Sequence, residues 1–259
     1  MQITAALLLS FSSISILASE WPQWLGPQRD GIWREDGIVE KFDGTPKLKW
    51  KVNVGGGYSG PAVADGRVFV TDRQLAKGVT NPANKFTRGR LAGSERILCL
   101  RESDGKLLWK HEYNCPYQLS YPAGPRCTPT VDGERVYVLG AMGDLFCLAV
   151  ADGKIIWQRN FEKEFGAKVP IWGFAAHPLV DGKKLICLGG GEEGTTIAFD
   201  KLTGKMLWRA LPGPDLGYCP PMIYEAGGKQ QLIIWHPRAL NSIDPETGKV
   251  FWSEPFRVR

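Results

Sequence analysis

The chain has 259 residues, enough to bury a sizeable core in one large domain or two small ones. With 43% hydrophobic and 23% charged residues it has the composition of a globular protein, and its formal charge of +5 is spread along the chain, which excludes a basic nucleic-acid-binding face as its organising feature. Six Cys without a C-x-x-C pair, and three His (His111, His177, His236) without ligand-like spacing, give a zinc site no support.

The chain opens with an apolar, Ser-interrupted run over 3–17, followed by the small residues Ala18 and Ser19. This pattern predicts a signal peptide over 1–19 and export to the periplasm or beyond. No Lys or Arg precedes the run, so a buried N-terminal strand or helix is the alternative. No later segment has the length of a transmembrane helix. Residues 20–46 read as an N-terminal extension, and 47–259 as a series of repeats.

The repeats begin with "LKWKV" at 48–52, an outer strand with no inner strands ahead of it. Four units follow over about 58–111, 123–161, 173–211 and 217–256. Each opens on an inner strand ending in a turn: "PAVADG", "PTVDG", "PLVDG" and the looser "PMIYEAGG". Asp-Gly closes a tight hairpin because Gly tolerates the positive φ of the turn. Second strands ("RVFV", "RVYVLG", "KLICLG", "QLIIW") and third strands ("RILCLR", "DLFCLAV", "TTIAFD", "LNSID") come next. The first unit alone spends 73–95 between them, a stretch carrying Arg73, Lys77, Lys85, Arg88 and Arg90 against Glu95. A loop this long in a compact unit is a functional element or a solvated arm, and its charge suits an anionic partner.

Every unit ends on one phrase: "SDGKLLW", "ADGKIIW", "LTGKMLW" and "ETGKVFW". Its glycines, Gly105, Gly153, Gly204 and Gly248, close the third-to-fourth strand hairpin. Trp109, Trp157, Trp208 and Trp252, spaced 48, 51 and 44 apart, then fall on the outer strand. A period of 40 to 50 residues filled with short strands indicates all-β propeller blades of four strands each. The Trp in each is expected to wedge between neighbouring blades with its indole N–H on a carbonyl across the gap. Cys99, Cys147 and Cys187 lie on apolar strands and are expected to be buried free thiols. Cys115, Cys127 and Cys219 lie in connections, and Cys115 with Cys127 is the one pair placed to bridge.

The repeated phrase resembles the tryptophan-docking motif of the pyrroloquinoline quinone (PQQ) repeat, found in quinoprotein alcohol dehydrogenases and in BamB-like propellers of the outer-membrane protein assembly machinery. "WPQWLGPQRDG", "GGGYSGPAVADGRVFVTD" and "HPLVDGKKLICLGG" are similar to PQQ-binding-like propeller proteins, so that the resemblance covers nearly the whole chain after residue 19. The signatures of WD40 and kelch repeats do not occur. Such propellers generally carry seven or eight blades, and four are recognisable here. The expectation is therefore an incomplete propeller, its missing blades supplied by a longer chain or by self-association, with Trp50 short of packing.

The resemblance also implies two functions. One is PQQ-dependent, calcium-assisted oxidation of an alcohol or sugar, which in the family uses a vicinal Cys-Cys disulfide, acidic and amide calcium ligands and an Asp base. No Cys-Cys occurs, Asp72, Asp144, Asp200 and Asp244 read as blade-turn residues, and no catalytic or metal-ligating residue can be assigned. The preferred function is binding or scaffolding, without catalysis. Ahead of each inner strand stands an aromatic (Tyr58, Tyr121, Trp172, Tyr218), with Arg126 and His177 nearby. In a propeller these loops form the channel mouth, where they can hold a planar ligand, a carbohydrate or an extended segment of an envelope or secreted protein. The same aromatics also suit packing against a neighbouring blade and its prolines.

Overall fold

The computed structural model describes residues 20–37 and 39–256; the predicted signal peptide lies outside the described residues. Among the described residues sixteen strands form four antiparallel sheets, each wound in sequence order from an inner to an outer strand. Blade I comprises β1 (Ala62–Ala64), β2 (Arg67–Leu75), β3 (Gly93–Arg101) and β4 (Leu107–Asn114). Blade II comprises β5 (Thr130–Asp132), β6 (Arg135–Leu139), β7 (Asp144–Ala149) and β8 (Ile155–Asn160). Blade III comprises β9 (Leu179–Asp181), β10 (Lys184–Leu188), β11 (Thr196–Asp200) and β12 (Met206–Ala210). Blade IV comprises β13 (Met222–Ala226), β14 (Lys229–His236), β15 (Ala239–Ile243) and β16 (Val250–Pro255). The expected β-propeller architecture is thus present. A one-turn helix, α1 (Phe161–Phe165), was not legible in the sequence; Asn160 caps its start and Gly166 its end.

The core lies between blades. Phe69, Cys99, Trp109, Val136 and Leu148 fill the space between blades I and II. Tyr137, Cys147, Trp157, Leu185 and Phe199 do so between II and III, and Ile186, Trp208, Leu232 and Ile234 between III and IV. Cys99 and Cys147 occupy equivalent places, as small apolar groups whose burial pushes the thiol pKa up, to about 11 for Cys99 and about 12 for Cys147. Cys115 and Cys127 are also free thiols, buried in separate clusters and unbridged.

Trp and Gly of the repeated phrase meet across the blade boundary. Trp109 of blade I lies on Gly153 of blade II, Trp157 on Gly204, and Trp208 on Gly248. A Cβ added to these glycines would come within 2.5, 2.6 and 2.8 Å of the respective indole. Each glycine also has a positive φ of 68 to 74°, so the turn and the ring both exclude a side chain. Each indole N–H then donates to the carbonyl three residues ahead of the glycine: Trp109 to Val150 at 2.8 Å, Trp157 to Lys201 at 3.1 Å, Trp208 to Pro245 at 3.2 Å.

The two ends of the series differ from expectation. Residues 48–52 form no strand, yet Trp50 keeps its packing: it is partly buried on Gly105 and donates to the Glu102 carbonyl at 2.7 Å. It is the fourth docked ring. Trp252, by contrast, does not dock. It is 41% exposed and donates to Gln231 Oε1 of its own blade.

The predicted basic insertion is shorter than it read. β2 and β3 stay in register out to Leu75↔Gly93, so Arg73 and Glu95 are paired strand residues and both are buried. The connecting loop is confined to 76–92. Asp72 is likewise a mid-strand residue, ion-paired with Arg96 at 2.6 Å rather than shaping a turn.

The N-terminal extension carries an arrangement that its sequence did not announce. Trp21 exchanges two 2.9 Å backbone hydrogen bonds with Val63 of β1, and the Pro22 carbonyl accepts from Val131 of β5 at 2.8 Å. Arg29 continues across, donating to the carbonyls of Pro178, just ahead of β9, at 2.9 Å and Pro221, just ahead of β13, at 3.2 Å. One short segment therefore straps the inner edge of all four blades. Trp24 covers it, 5.3 Å over the Arg29 guanidinium and edge-on to His177 at 4.9 Å.

Two outcomes follow from this packing. Trp157→Ala should cost about 3 to 5 kcal/mol in denaturant unfolding, because a buried ring leaves a cavity, whereas exposed Trp252→Ala should cost less than about 1 kcal/mol. Gly204→Ala should destabilise less in the Trp157→Ala background than in wild type, since the clash with the indole is then gone; strict additivity would refute the contact. Burial and the Arg29 charge push His177 down from 6.5 to about 4. The folded site refuses a proton that the unfolded chain accepts, so its contribution to stability is complete above 6.5 and is lost as the pH falls towards about 4. Thermal melts of His177→Gln against wild type should show a difference that shrinks over that interval, and NMR should find the imidazole neutral at pH 5.5 or so.

Candidate functional site

The loops leading into the inner strands converge on one mouth. Tyr58 precedes β1, Tyr121 and Arg126 precede β5, Trp172 precedes β9 and Tyr218 precedes β13. Together with Phe86 of the 76–92 loop and Ala175 they line a cavity of about 480 Å³. Five of the six residues singled out from the sequence are thus brought together. His177 is not, being held beneath the strap by Trp24.

Backbone geometry places the rings. The glycine-rich "GGGYSGP" crosses the "YPAGP" loop of blade II so closely that a Cβ on Gly124 would lie 2.1 Å from the Gly56 carbonyl oxygen. Only glycine permits that approach, and it lets Tyr58 N donate to the Pro125 carbonyl at 2.8 Å. Tyr121 has a φ of 54°, a conformation that costs a non-glycine residue about 1 to 3 kcal/mol and persists only where its surroundings enforce it. Those surroundings are specific: its N–H donates to the Lys85 carbonyl at 2.7 Å, its carbonyl accepts from Arg126 at 2.6 Å, and Phe86 packs edge-on to its ring at 5.2 Å.

Arg126 is no free cation. It donates to the carbonyls of Trp172 at 2.6 Å, Ser120 at 3.1 Å, Tyr121 and Gly124, and thereby ties the mouth loops of blades II and III. Burial pushes its pKa down, but guanidinium stays charged at neutral pH. Its charge lies under the cup, 5.2 Å from the Tyr58 ring centroid. Trp172 and Tyr218 form the opposite wall, 5.2 Å apart, with the backbone N–H of Trp172 donating to the Tyr218 hydroxyl at 3.3 Å.

Below the cup lies a polar knot that the sequence reading missed. Buried Glu95 accepts from the hydroxyls of Tyr113 and Tyr117 and from Ala141 N–H at 3.0 Å. The Arg73 guanidinium sits 3.8 Å over the Tyr117 ring and donates to the carbonyls of Pro122 and Leu91. Desolvation raises the Glu95 pKa, opposed by its three donors. The knot anchors both ends of the 76–92 loop and so holds Phe86 in the wall.

A quinone-and-calcium centre does not fit these residues. The cup is lined by rings, one buried guanidinium and an alanine, with no carboxylate to ligate a hard cation. The two buried carboxylates of blade I are committed, Glu95 to two phenols and an amide and Asp72 to Arg96 and the Gly55 N–H. Among the described residues no cluster of three or more His, Cys, Asp or Glu side chains is placed to hold a metal ion, and the thiols are unpaired.

Residues 93–258, more than half of the chain, match the family model described as outer membrane protein assembly factor BamB, a PQQ-repeat family. No curated protein matches the chain. Among solved structures, the quinohemoprotein alcohol dehydrogenase of Comamonas testosteroni is similar with a TM-score of 0.61 and 17% identity, over 91% of this chain and 41% of that one. BamB of Moraxella catarrhalis gives a TM-score of 0.48 at 19% identity, over 65% of this chain and 50% of that one. The chain spans half or less of the length of these two proteins, and the likeness to the dehydrogenase is one of fold. Match and repeat together make this chain a member of the PQQ-repeat, BamB-like propeller family.

Proposed function

We propose that this chain is an exported binding or scaffolding propeller, without catalysis of its own, whose working surface is the aromatic cup. The observation that carries the reading is the cup itself: rings from the mouth loops of all four blades, with Tyr58 51% and Trp172 45% exposed, around a cavity of about 480 Å³. Aromatic faces left open at a concave mouth bind ring faces and apolar segments, and a strained Tyr121 backbone held in place by Arg126 is a preorganised wall. No hydrogen bond among the described residues engages the Tyr58 or Tyr121 hydroxyl, so both are available to a ligand. The apolar run over 3–17 supports export, and membership of a family described as an outer-membrane assembly factor supports a scaffolding role.

Titration with 2-naphthoate, a neutral galactan oligosaccharide and oligogalacturonate, followed by tryptophan fluorescence, should give a saturable change with at least one probe that Trp172→Ala removes. Silence across the panel would sink the cup. Supplying PQQ and calcium should produce no dye-linked oxidation of alcohols or sugars; turnover in that assay would overturn the non-catalytic reading.

A further inference from the structure

The loop that completes the cup is also its charge. Residues 76–92 carry Lys77, Lys85, Arg88 and Arg90 and no acid. All four are exposed, and none has an ion-pair partner among the described residues. The loop is held at the mouth: Leu91 and Tyr117 exchange backbone hydrogen bonds of 2.8 and 2.9 Å, the Lys85 carbonyl accepts from Tyr121, and the Phe86 carbonyl accepts from Ser120 Oγ at 3.3 Å. Lys85 thus flanks a ring of the cup, and Arg88 lies close enough to Tyr218 for its charge to act on that phenol. Buried Arg126 adds a further positive charge under the floor.

Resting on the reading of the cup as a ligand site, we infer that its ligand is an acidic oligosaccharide, one bearing uronate or sulfate groups. Tyr and Trp faces stack on the C–H faces of sugar rings, while their O–H and N–H groups reach hydroxyls. Unpaired guanidinium and ammonium groups at the rim pair with carboxylate or sulfate, guanidinium bidentately. An acidic peptide suits this mouth less well. Peptides gain affinity by adding a strand to an open sheet edge, and at this mouth the inner edges of β1 and β5 are already hydrogen-bonded to the chain's own Trp21 and Pro22.

The test uses the whole chain with oligogalacturonate, a sulfated galactan oligosaccharide, the neutral galactan oligosaccharide and polyglutamate, read by calorimetry at two salt concentrations. At least one acidic oligosaccharide should bind about tenfold or more tightly than the neutral one, and added salt should weaken it. Combined Arg88→Glu and Arg90→Glu should remove that preference, Trp172→Ala should weaken binding about tenfold, and Lys205→Glu, a distant change of equal sign, should leave both intact. Thermal melts check that each variant is folded. Equal binding of neutral and acidic sugars overturns the inference and leaves the cup reading standing, as does binding of 2-naphthoate alone. Polyglutamate binding as tightly as the acidic sugars reduces the site to bare charge and overturns it too. If no probe of either panel binds, both readings fall together.

Discussion

Everything in this molecule hangs on an indole lying on a glycine of the next blade. A blade of four short strands cannot bury both of its faces alone, and the space between two blades must be closed by something large, flat and able to hydrogen-bond. The Trp of one phrase closes it from one side and the Gly of the next phrase admits it from the other. Each of the first three copies is therefore both the ring that docks and the seat that receives, and the fourth, among the described residues, is a seat alone. The constraint also fixes the turn: a residue with a positive φ and an indole against its Cα has no room for a side chain, which is why Gly at this position does not vary among the four copies.

With the blade spacing set by that contact, the mouth loops have their positions given to them. Tyr58, Tyr121, Trp172 and Tyr218 each stand a few residues ahead of an inner strand, so a rotation from blade to blade carries four chemically similar side chains to one place. Arg126 then fixes the distance between two of the loops by holding carbonyls from both. A buried arginine satisfied by carbonyls alone leaves its charge uncancelled. Arg29 and Arg73 behave alike; of the two buried carboxylates among the described residues, Asp72 is taken by Arg96, which leaves Glu95 against these three. The positive character of the cup is thus partly built into its frame.

The blades and their docking residues were legible because they repeat: a fixed Gly-to-Trp offset of four is visible without any structure. The aromatics of the cup were legible for the same reason, since position relative to each inner strand located them. What was not legible has no repeat to reveal it. Phe86 lies in a loop present in one blade only, and Arg73 with Glu95 looked like loop charges because a strand that carries its own buried ion network loses the alternation of apolar residues by which strands are recognised. His177 lies just ahead of β9, as each mouth residue lies ahead of its own inner strand, and yet turns under the strap. Trp252 has the right phrase but no seat among the described residues, because docking depends on the neighbour and not on the motif that carries the ring.

The strap changes the character of the array. Blades that touch only their neighbours behave as a one-dimensional stack, in which one unit can loosen while the rest persist. Arg29 reaches the Pro221 carbonyl across 192 residues of sequence, and Trp21 reaches β1 across about forty. The full set can form only when the first strands of blades I to IV are already side by side, so the strap is completed late in folding and its loss is felt by every blade. It gives a modular array a term that belongs to no module, one that couples the opening of blade I to the opening of blade IV and makes the four units melt as one.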